Sequence, residues 1–430
     1  MKEPTGSPAC DPATELFNLP DYRVVSVART ALGVREVVVE AHVVPGCPGC
    51  GVVSIRAHSV RLQRIRDIPV AGPVVVLWRK RRWLCVERAC ARRTFSEHTA
   101  QVPPFARSTR RLRTALVAAA QRGRAASEIA AAFGVGWWTV QRAVSAAVAV
   151  IAAPEDTRRL TRRLGIDEHR FRRVRFFRDD TGAWRRVEPW MTTFVDLDTG
   201  AVLGIVDGRD GKAVQGWLLR RPRWWRQQVR VVAIDPSAAF RSVLRPLLAR
   251  AVVAVDHFHL IRLANDALTQ VRRRVAHDVK GHRGRREDLV WAHRLLLLRA
   301  GDRLSPTALA KLKTVLRGDD PTDEIGAAWG VKEQLRHVLA APTVTAAKAQ
   351  LRLLHIYALL ANTPETTRLV STVAQWWREI ENFLRTRATN AKTEAANVTI
   401  KNLKRTGRGY RNPHHYRARI LLANAAPTAA

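Results

Sequence analysis

Acidic residues are scarce in this chain: aspartate plus glutamate number 37 against 73 lysine plus arginine, a formal net charge of +36 with a pI near 11.5. So lopsided a balance points to a polyanionic partner, nucleic acid or an anionic surface, while saying nothing about fold. Long apolar runs are lacking too. No uninterrupted stretch is long enough to span a bilayer and no charged-then-apolar leader opens the sequence, so a membrane is not the expected partner. Cysteine is sparse, five in 430 residues, which excludes a secreted disulfide scaffold and fits a soluble protein of a reducing cytoplasm. With 47% hydrophobic residues the chain can bury several cores, and two to four domains are expected.

Four of the cysteines form two pairs, Cys47-Pro48-Gly49-Cys50 and Cys85-Val86-Glu87-Arg88-Ala89-Cys90, with strand-rich stretches at 52–65 and 74–83 between them. Two thiolate pairs on tight turns make a tetrahedral S₄ site suited to one structural zinc ion, which in so small a ribbon would supply on the order of 10 kcal/mol of folding free energy. His42, His58 and His98 are near enough in sequence to replace one ligand, and Cys10 lies apart in a Pro-rich leader.

After the basic stretch at 107–113, residues 127–144 fit a helix-turn-helix. Ala130 is small where two helices approach, Gly134 can take the positive φ of the turn, and Ile129, Phe133, Val140 and Val144 would pack inside. Thr139, Gln141 and Arg142 would then face outward, as base-edge readers in a major groove. Trp137 and Trp138 are read as packing residues.

From 158 the pattern turns to strands: 164–167, 171–177, 191–196 and 201–206 around the turn Leu197-Asp198-Thr199-Gly200, then 229–234, a helix over 237–248, and 251–255. A meander followed by a β-α-β unit predicts a mixed sheet covered by helices. Asp167 and Asp235 end two of these strands, and Glu394 lies in a helix-like segment with basic residues behind it. Carboxylates so placed suit a pair of hard cations such as Mg²⁺ (or Mn²⁺) clamping a phosphodiester. Glu394, Asn397 and Lys401 share one helix face, which Lys404, Arg405, Arg408, Arg411 and Arg417 continue as a phosphate-facing surface. Residues 260–375 carry helical spacing with almost no strand signal, and their arginine runs at 272–274 and 283–286 either lie on DNA or are solvated.

In this order the motifs resemble a bacterial insertion-sequence transposase of the ISL-three type. The cysteine knuckles are followed by Arg92-Arg93-Thr94-Phe95-Ser96-Glu97, then Gly165-Ile166-Asp167-Glu168, Ile234-Asp235-Pro236-Ser237 and Val255-Asp256-His257-Phe258-His259. Last come Asn390, Glu394 and Asn397 at their fixed spacing, Lys404-Arg405 and Gly409-Tyr410-Arg411-Asn412. The chain departs from the usual Ser-Asn-Gly and Asp-Met-Ser with Thr389-Asn390-Ala391 and Asp235-Pro236-Ser237, and keeps all three acids.

The resemblance implies a multidomain α+β protein with an N-terminal zinc ribbon-like module, a helical helix-turn-helix and an RNase H-like mixed β-sheet catalytic domain interrupted by an α-helical insertion. The expected divisions are a partly disordered leader over 1–40, the zinc module over 41–100 and the helix-turn-helix over 105–155. The catalytic domain begins over 158–260, the insertion covers 261–378, and the final helix and basic tail cover 379–425. Asp167, Asp235 and Glu394 would be the DDE acids holding two divalent cations, with Asp256, His259 and Asn397 in support. The implied partners are double-stranded DNA, both transposon ends and target, and a second copy of the chain, near the bacterial nucleoid. An RNase H-like nuclease or resolvase would share the acids, and a catalytically silent, transposon-derived regulator would need only the zinc and helix-turn-helix modules.

Overall fold

The structure, a computed structural model, describes residues 11–151 and 160–425, so Cys10 falls outside the described residues. The chain divides into two compact units, residues 1–153 with 402–430, and residues 154–401.

The first unit opens with α1 (Pro12–Phe17), then β1 (Tyr22–Arg29), β2 (Arg35–Ala41), β3 (Ala57–Ile65), β4 (Val74–Leu84) and β5 (Thr94–Ser96). They form one sheet in the order β1-β2-β4-β3, with β5 also on β4. Val37, Val39, Val76 and Trp78 are buried on one face, and Tyr22 meets Trp78 edge-on at 5.5 Å. Residues 12–41 are therefore not the leader expected from the sequence. Phe17, Leu19 and Tyr22 belong to this core, and the valine-rich β2 pairs in parallel with β4. Three helices follow, α2 (Arg110–Gln121), α3 (Ala126–Ala132) and α4 (Trp137–Ile151). The turn between α3 and α4 runs through Gly134 at φ +60°, a backbone conformation that glycine adopts without a Cβ penalty. Leu112, Leu116, Ile129, Val140, Val144 and Val148 make the core between the helices.

In the second unit β6 (Arg163–Arg170) is followed by β7 (Arg175–Arg178), β8 (Trp184–Val187), β9 (Trp190–Asp196) and β10 (Val202–Asp207). After α5 (Gly211–Leu219) and α6 (Arg223–Gln228) come β11 (Val231–Ile234), α7 (Ala238–Leu247) and β12 (Val252–Val255). The main sheet has the order β10-β9-β6-β11-β12, while β7 and β8 pair only with each other. The strand expected over 171–177 is thus confined to β7 and belongs to a separate ribbon. β9 runs antiparallel to β6, and β11 and β12 run parallel to it. This is the RNase H-like mixed sheet that the resemblance implies. The all-apolar β11 and β12 suit strands covered on both faces, and Val232, Ala233, Ile234, Ala254 and Val255 are fully buried.

The insertion is helical throughout its regular elements. It begins with α8 (His257–Lys280), α9 (Leu289–Ala292), α10 (Arg294–Leu298) and α11 (Pro306–Asp319). It continues through α12 (Glu324–Ala340), α13 (Val344–Ala361), α14 (Pro364–Gln375) and α15 (Trp377–Thr386). Leu335, Val338, Leu354, Val373 and Ile380 share one core with the sheet residues Leu164, Ile234 and Val255. Its arginines are not all free for DNA: Arg272 is buried, and Arg274 is ion-paired with Glu324 and Glu365. No helix among the described residues is long and apolar enough to cross a membrane.

Helix α16 (Ala391–Thr406) ends at Gly407 and Gly409, and α17 (Pro413–Ala425) follows. Ala418 and Leu422 of α17 join the core of α2, α3 and α4. Residues 402–425 therefore complete the helix-turn-helix core, where the sequence suggested a tail of the catalytic domain.

Candidate metal and active site

Strand register builds the centre of the second unit. Ile166 of β6 pairs with Ile234 of β11, and Ile234 pairs with Val255 of β12. The next residue on each parallel strand is an acid, so Asp167, Asp235 and Asp256 stand in a row at one end of the sheet. Asp256 is fully buried and caps α8, accepting from the Phe258 N–H at 3.5 Å. Burial alone would raise its carboxyl, but hydrogen bonds from His257 and His259 outweigh burial and hold it at about 2. His259 then bridges two acids, with Nε2 2.8 Å from Asp235 Oδ2 and Nδ1 3.3 Å from Asp256 Oδ2. The hydrogen bond to Asp235, then that to Asp256, raise the imidazole to about 10.

Asp167 has the opposite environment. Burial first and the charge of Asp235 second push its carboxyl up to about 7. It accepts from the Glu168 backbone N–H at 2.7 Å and from Asn397 Nδ2 at 2.5 Å. Glu168 is raised as well, by burial and then by Asp235. Two carboxylates kept together against their own repulsion, with oxygen donors turned to one end of a sheet, fit a hard divalent cation. Asp235, Asp256 and His259 bring one ligand atom each within 4.8 Å of the others.

Helix α16 closes the site with short polar side chains. Asn390, just before its first turn, donates to Ile166 O at 3.2 Å and to Asp235 Oδ1 at 3.3 Å, while Asn397 holds Asp167. The approach requires Gly165, since a Cβ there would lie 2.1 Å from Thr393 Oγ1 and 2.7 Å from Leu197 Cδ2. Glu394 sits four residues after Asn390 and three before Asn397, so its backbone is fixed between the two contacts. Its side chain is exposed and stands outside the group formed by Asp235, Asp256 and His259. Lys401 is exposed two turns further on. The role of Asn390 as a tie between two strands was missed in the sequence, although an Asn preceding a helix is the available signal.

In the first unit the four cysteines meet. Sγ of Cys47 and Cys90 are 3.9 Å apart, and those of Cys50 and Cys85 3.6 Å. A tetrahedron with Zn–S bonds of about 2.3 Å has edges of roughly 3.8 Å, so the donor set fits zinc. Backbone N–H groups of Gly49 and Cys50 outweigh desolvation and bring Cys47 down to about 7. Against a backbone hydrogen bond from Glu87, desolvation and the neighbouring thiols push Cys85 up to about 12. Among the described residues neither His58 nor the other histidines join this group.

The helix-turn-helix residues separate. Thr139 is half-buried, with its Oγ1 accepting from Arg66 Nη1 at 3.3 Å, and Arg142 is exposed. Gln141 is only 2% exposed and packs inward, so it is not on the outer face. Trp137 and Trp138, read as packing residues, are instead exposed, 4.9 Å apart and edge-on to His415 of α17. Arg405, Arg408 and Arg411 are exposed and Lys404 is half-buried.

Comparison with known proteins accords with this architecture. A family profile described as zinc-finger of transposase IS204/IS1001/IS1096/IS1165 matches residues 44–90, and one described as helix-turn-helix domain of transposase family ISL3 matches 97–148. The transposase for insertion sequence element IS1001 of Bordetella parapertussis is 26% identical over 276 residues. That match covers 64% of this chain, and the chain spans 64% of the length of that relative. A solved Drosophila P element transposase strand transfer complex is loosely similar, with a TM-score of 0.41 and 12% identity over 73% of this chain and 91% of that one. The ISL3 DDE transposase profile matches residues 164–420, more than half the sequence, and the chain therefore belongs to the ISL3 transposase family.

Proposed function

We propose that this chain is a DNA transposase that cuts and joins phosphodiesters at the ends of a bacterial insertion sequence, using Asp167, Asp235 and Glu394 to hold two Mg²⁺ or Mn²⁺ ions. What supports this most is the register that sets Asp167 beside Asp235, with α16 tied to both by Asn397 and Asn390. Such cations, when bound, supply Lewis-acid stabilisation of the attacking and leaving oxygens. The protein's own contribution is position. Asp256 holds His259, His259 orients Asp235, and Asn397 fixes the Asp167 carboxylate. Glu394 completes the trio when its side chain swings toward the strands.

Recognition falls to the other unit and the basic surface. Thr139 and Arg142 are the base-edge readers of element ends, without the buried Gln141, and Lys401, Lys404, Arg405, Arg408 and Arg411 take phosphates of ends and target. One zinc ion on Cys47, Cys50, Cys85 and Cys90 is structural. Two copies of the chain pair two ends at the nucleoid. Asp167→Asn, Asp235→Asn and Glu394→Gln should each abolish Mg²⁺-dependent cleavage and strand transfer of a labelled element end while leaving end binding intact. Cleavage without strand transfer by the unaltered protein would favour a nuclease or resolvase, and binding alone a regulator. Substantial cleavage by Glu394→Gln would move the third acid elsewhere, with Asp256 next in line.

A further inference from the structure

β7 and β8 form a separate two-stranded ribbon, and all eight of its strand residues are exposed. The register pairs Arg175 with Val187, Phe176 with Arg186, Phe177 with Arg185 and Arg178 with Trp184. Alternation then puts Arg175, Phe177, Arg185 and Val187 on one face, and Phe176, Arg178, Trp184 and Arg186 on the other. Phe176 is 60% exposed, Phe177 50% and Trp184 65%. A two-stranded hairpin without a core is marginal alone, and here its turn is braced. Asp179 accepts from the Thr181 N–H at 3.0 Å, the Ala183 N–H at 3.0 Å and Arg185 Nε at 2.7 Å, and Gly182 takes φ +81°. A rigid turn carrying aromatics and arginines on both faces is built to be covered by something else.

We infer that this ribbon is a DNA-binding finger that seats on the duplex beside the reacting phosphodiester, with Arg175 and Arg178 on phosphates and Phe176 and Trp184 against bases. Charge selects the occupant. Of the ladder's four arginines, Arg185 and Arg186 are ion-paired with Asp179 and Glu188 at its two ends, so Arg175 and Arg178 carry its positive charge outward, and a second copy of a chain of net charge +36 would bring like charge to it. Size agrees, because a major groove about 12 Å wide and 8.5 Å deep admits a two-stranded ribbon, and a four-residue strand reaches about 13 Å. Guanidinium and ring are already paired at one point, Arg178 lying 5.1 Å over Trp184, a combination that stacks on bases as readily as on itself. Place agrees as well. The ribbon leaves β6 at Arg170, three residues beyond Asp167, and so at the strand end where the acids stand.

The choice of site rests on the transposase reading, so the test separates the two. Binding of the full chain to a random-sequence duplex is measured against salt, with and without Arg175→Ala plus Arg178→Ala. Loss of two phosphate contacts should lower the magnitude of the log K against log salt slope by about 2. In a second arm, Trp184 is replaced by a photo-reactive benzoylphenylalanine and irradiated on the same duplex, and a protein–DNA adduct is expected. An unchanged slope, or an adduct only between two copies of the chain, overturns the proposal even if the unaltered protein cuts DNA. A reduced slope and a DNA adduct sustain it even if the protein never cuts. The side chains are exposed, so melting of the variants should match the parent, and the cross-link decides the matter should the double variant misfold.

Discussion

Asp167→Asn should stabilise this protein in the absence of magnesium, and more so at high pH. In the folded chain the Asp167 carboxyl is raised from its ordinary 3.8 to about 7, by burial and then by Asp235. The folded state therefore holds this proton more tightly than the unfolded state, and ionisation opposes folding. The cost is absent well below 3.8, where both states are protonated, grows as pH climbs, and is complete above about 7. Linkage puts it at about 2 kcal/mol at pH 5 and about 4 kcal/mol at pH 8, upper figures for a partly buried group. The amide removes that cost and its oxygen still accepts from the Glu168 N–H, but the NH₂ that replaces the second oxygen forfeits the hydrogen bond from Asn397 Nδ2, about 1 kcal/mol that does not vary with pH. Calorimetry should therefore show the variant's advantage over the parent growing by roughly 4–8 °C between pH 5 and pH 8 in the transition of the catalytic unit. Magnesium-free buffer without chelator leaves the thiol site undisturbed. Parallel melting of the two proteins across this range would refute the electrostatic account, whereas added Mg²⁺ should narrow the gap at pH 8 by stabilising the parent alone.

Three other outcomes are expected. Protein purified without chelator should carry about one equivalent of zinc by elemental analysis, and Cys47→Ser with Cys85→Ser should bring it below half. Arg142→Ala should weaken binding to element ends by roughly 1–3 kcal/mol with little change on random DNA, whereas Gln141→Ala, at a buried position, should leave the ratio of specific to random binding unchanged in an anisotropy titration. Gly165→Ala should cost about 1–3 kcal/mol in urea unfolding and impair cleavage, because its Cβ would meet Thr393 Oγ1 at 2.1 Å.

Much of the centre was legible because it is written as runs. An apolar run that meets an acid, as in Ile166-Asp167, Ile234-Asp235 and Val255-Asp256, announces both the buried strand and its functional position, although β6 itself runs on to Arg170, and paired cysteines announce their own geometry. What the runs omit is neighbourhood. Nothing local links Asn390 to Asp235, or Asn397 to Asp167, because sheet order and helix docking create those pairs. Gln141 is a different failure. It lies seven residues before Val148, two helical turns away and therefore on nearly the same face, and Val148 is buried in the core. Counting turns would have placed it inward. The exposed ribbon was hidden for the opposite reason: strands normally alternate apolar with polar because one face is buried, and here both faces mix arginine with apolar side chains.

The docking of α16 shows why small residues decide the geometry of this site. A helix that covers a sheet through large apolar side chains stands roughly 10 Å away, too far for its short polar groups to reach strand carboxylates. Here Asn390, Thr393 and Asn397 face the strands, and Gly165 has no Cβ to hold them off. The arrangement gives up apolar burial at that contact and gains hydrogen bonds from helix to both aspartates. Its consequence is positional, since a helix pinned at residues 390 and 397 cannot carry residue 394 away from the sheet. The backbone of the third acid of the proposed trio is therefore positioned by its neighbours on the helix, Asn390 and Asn397.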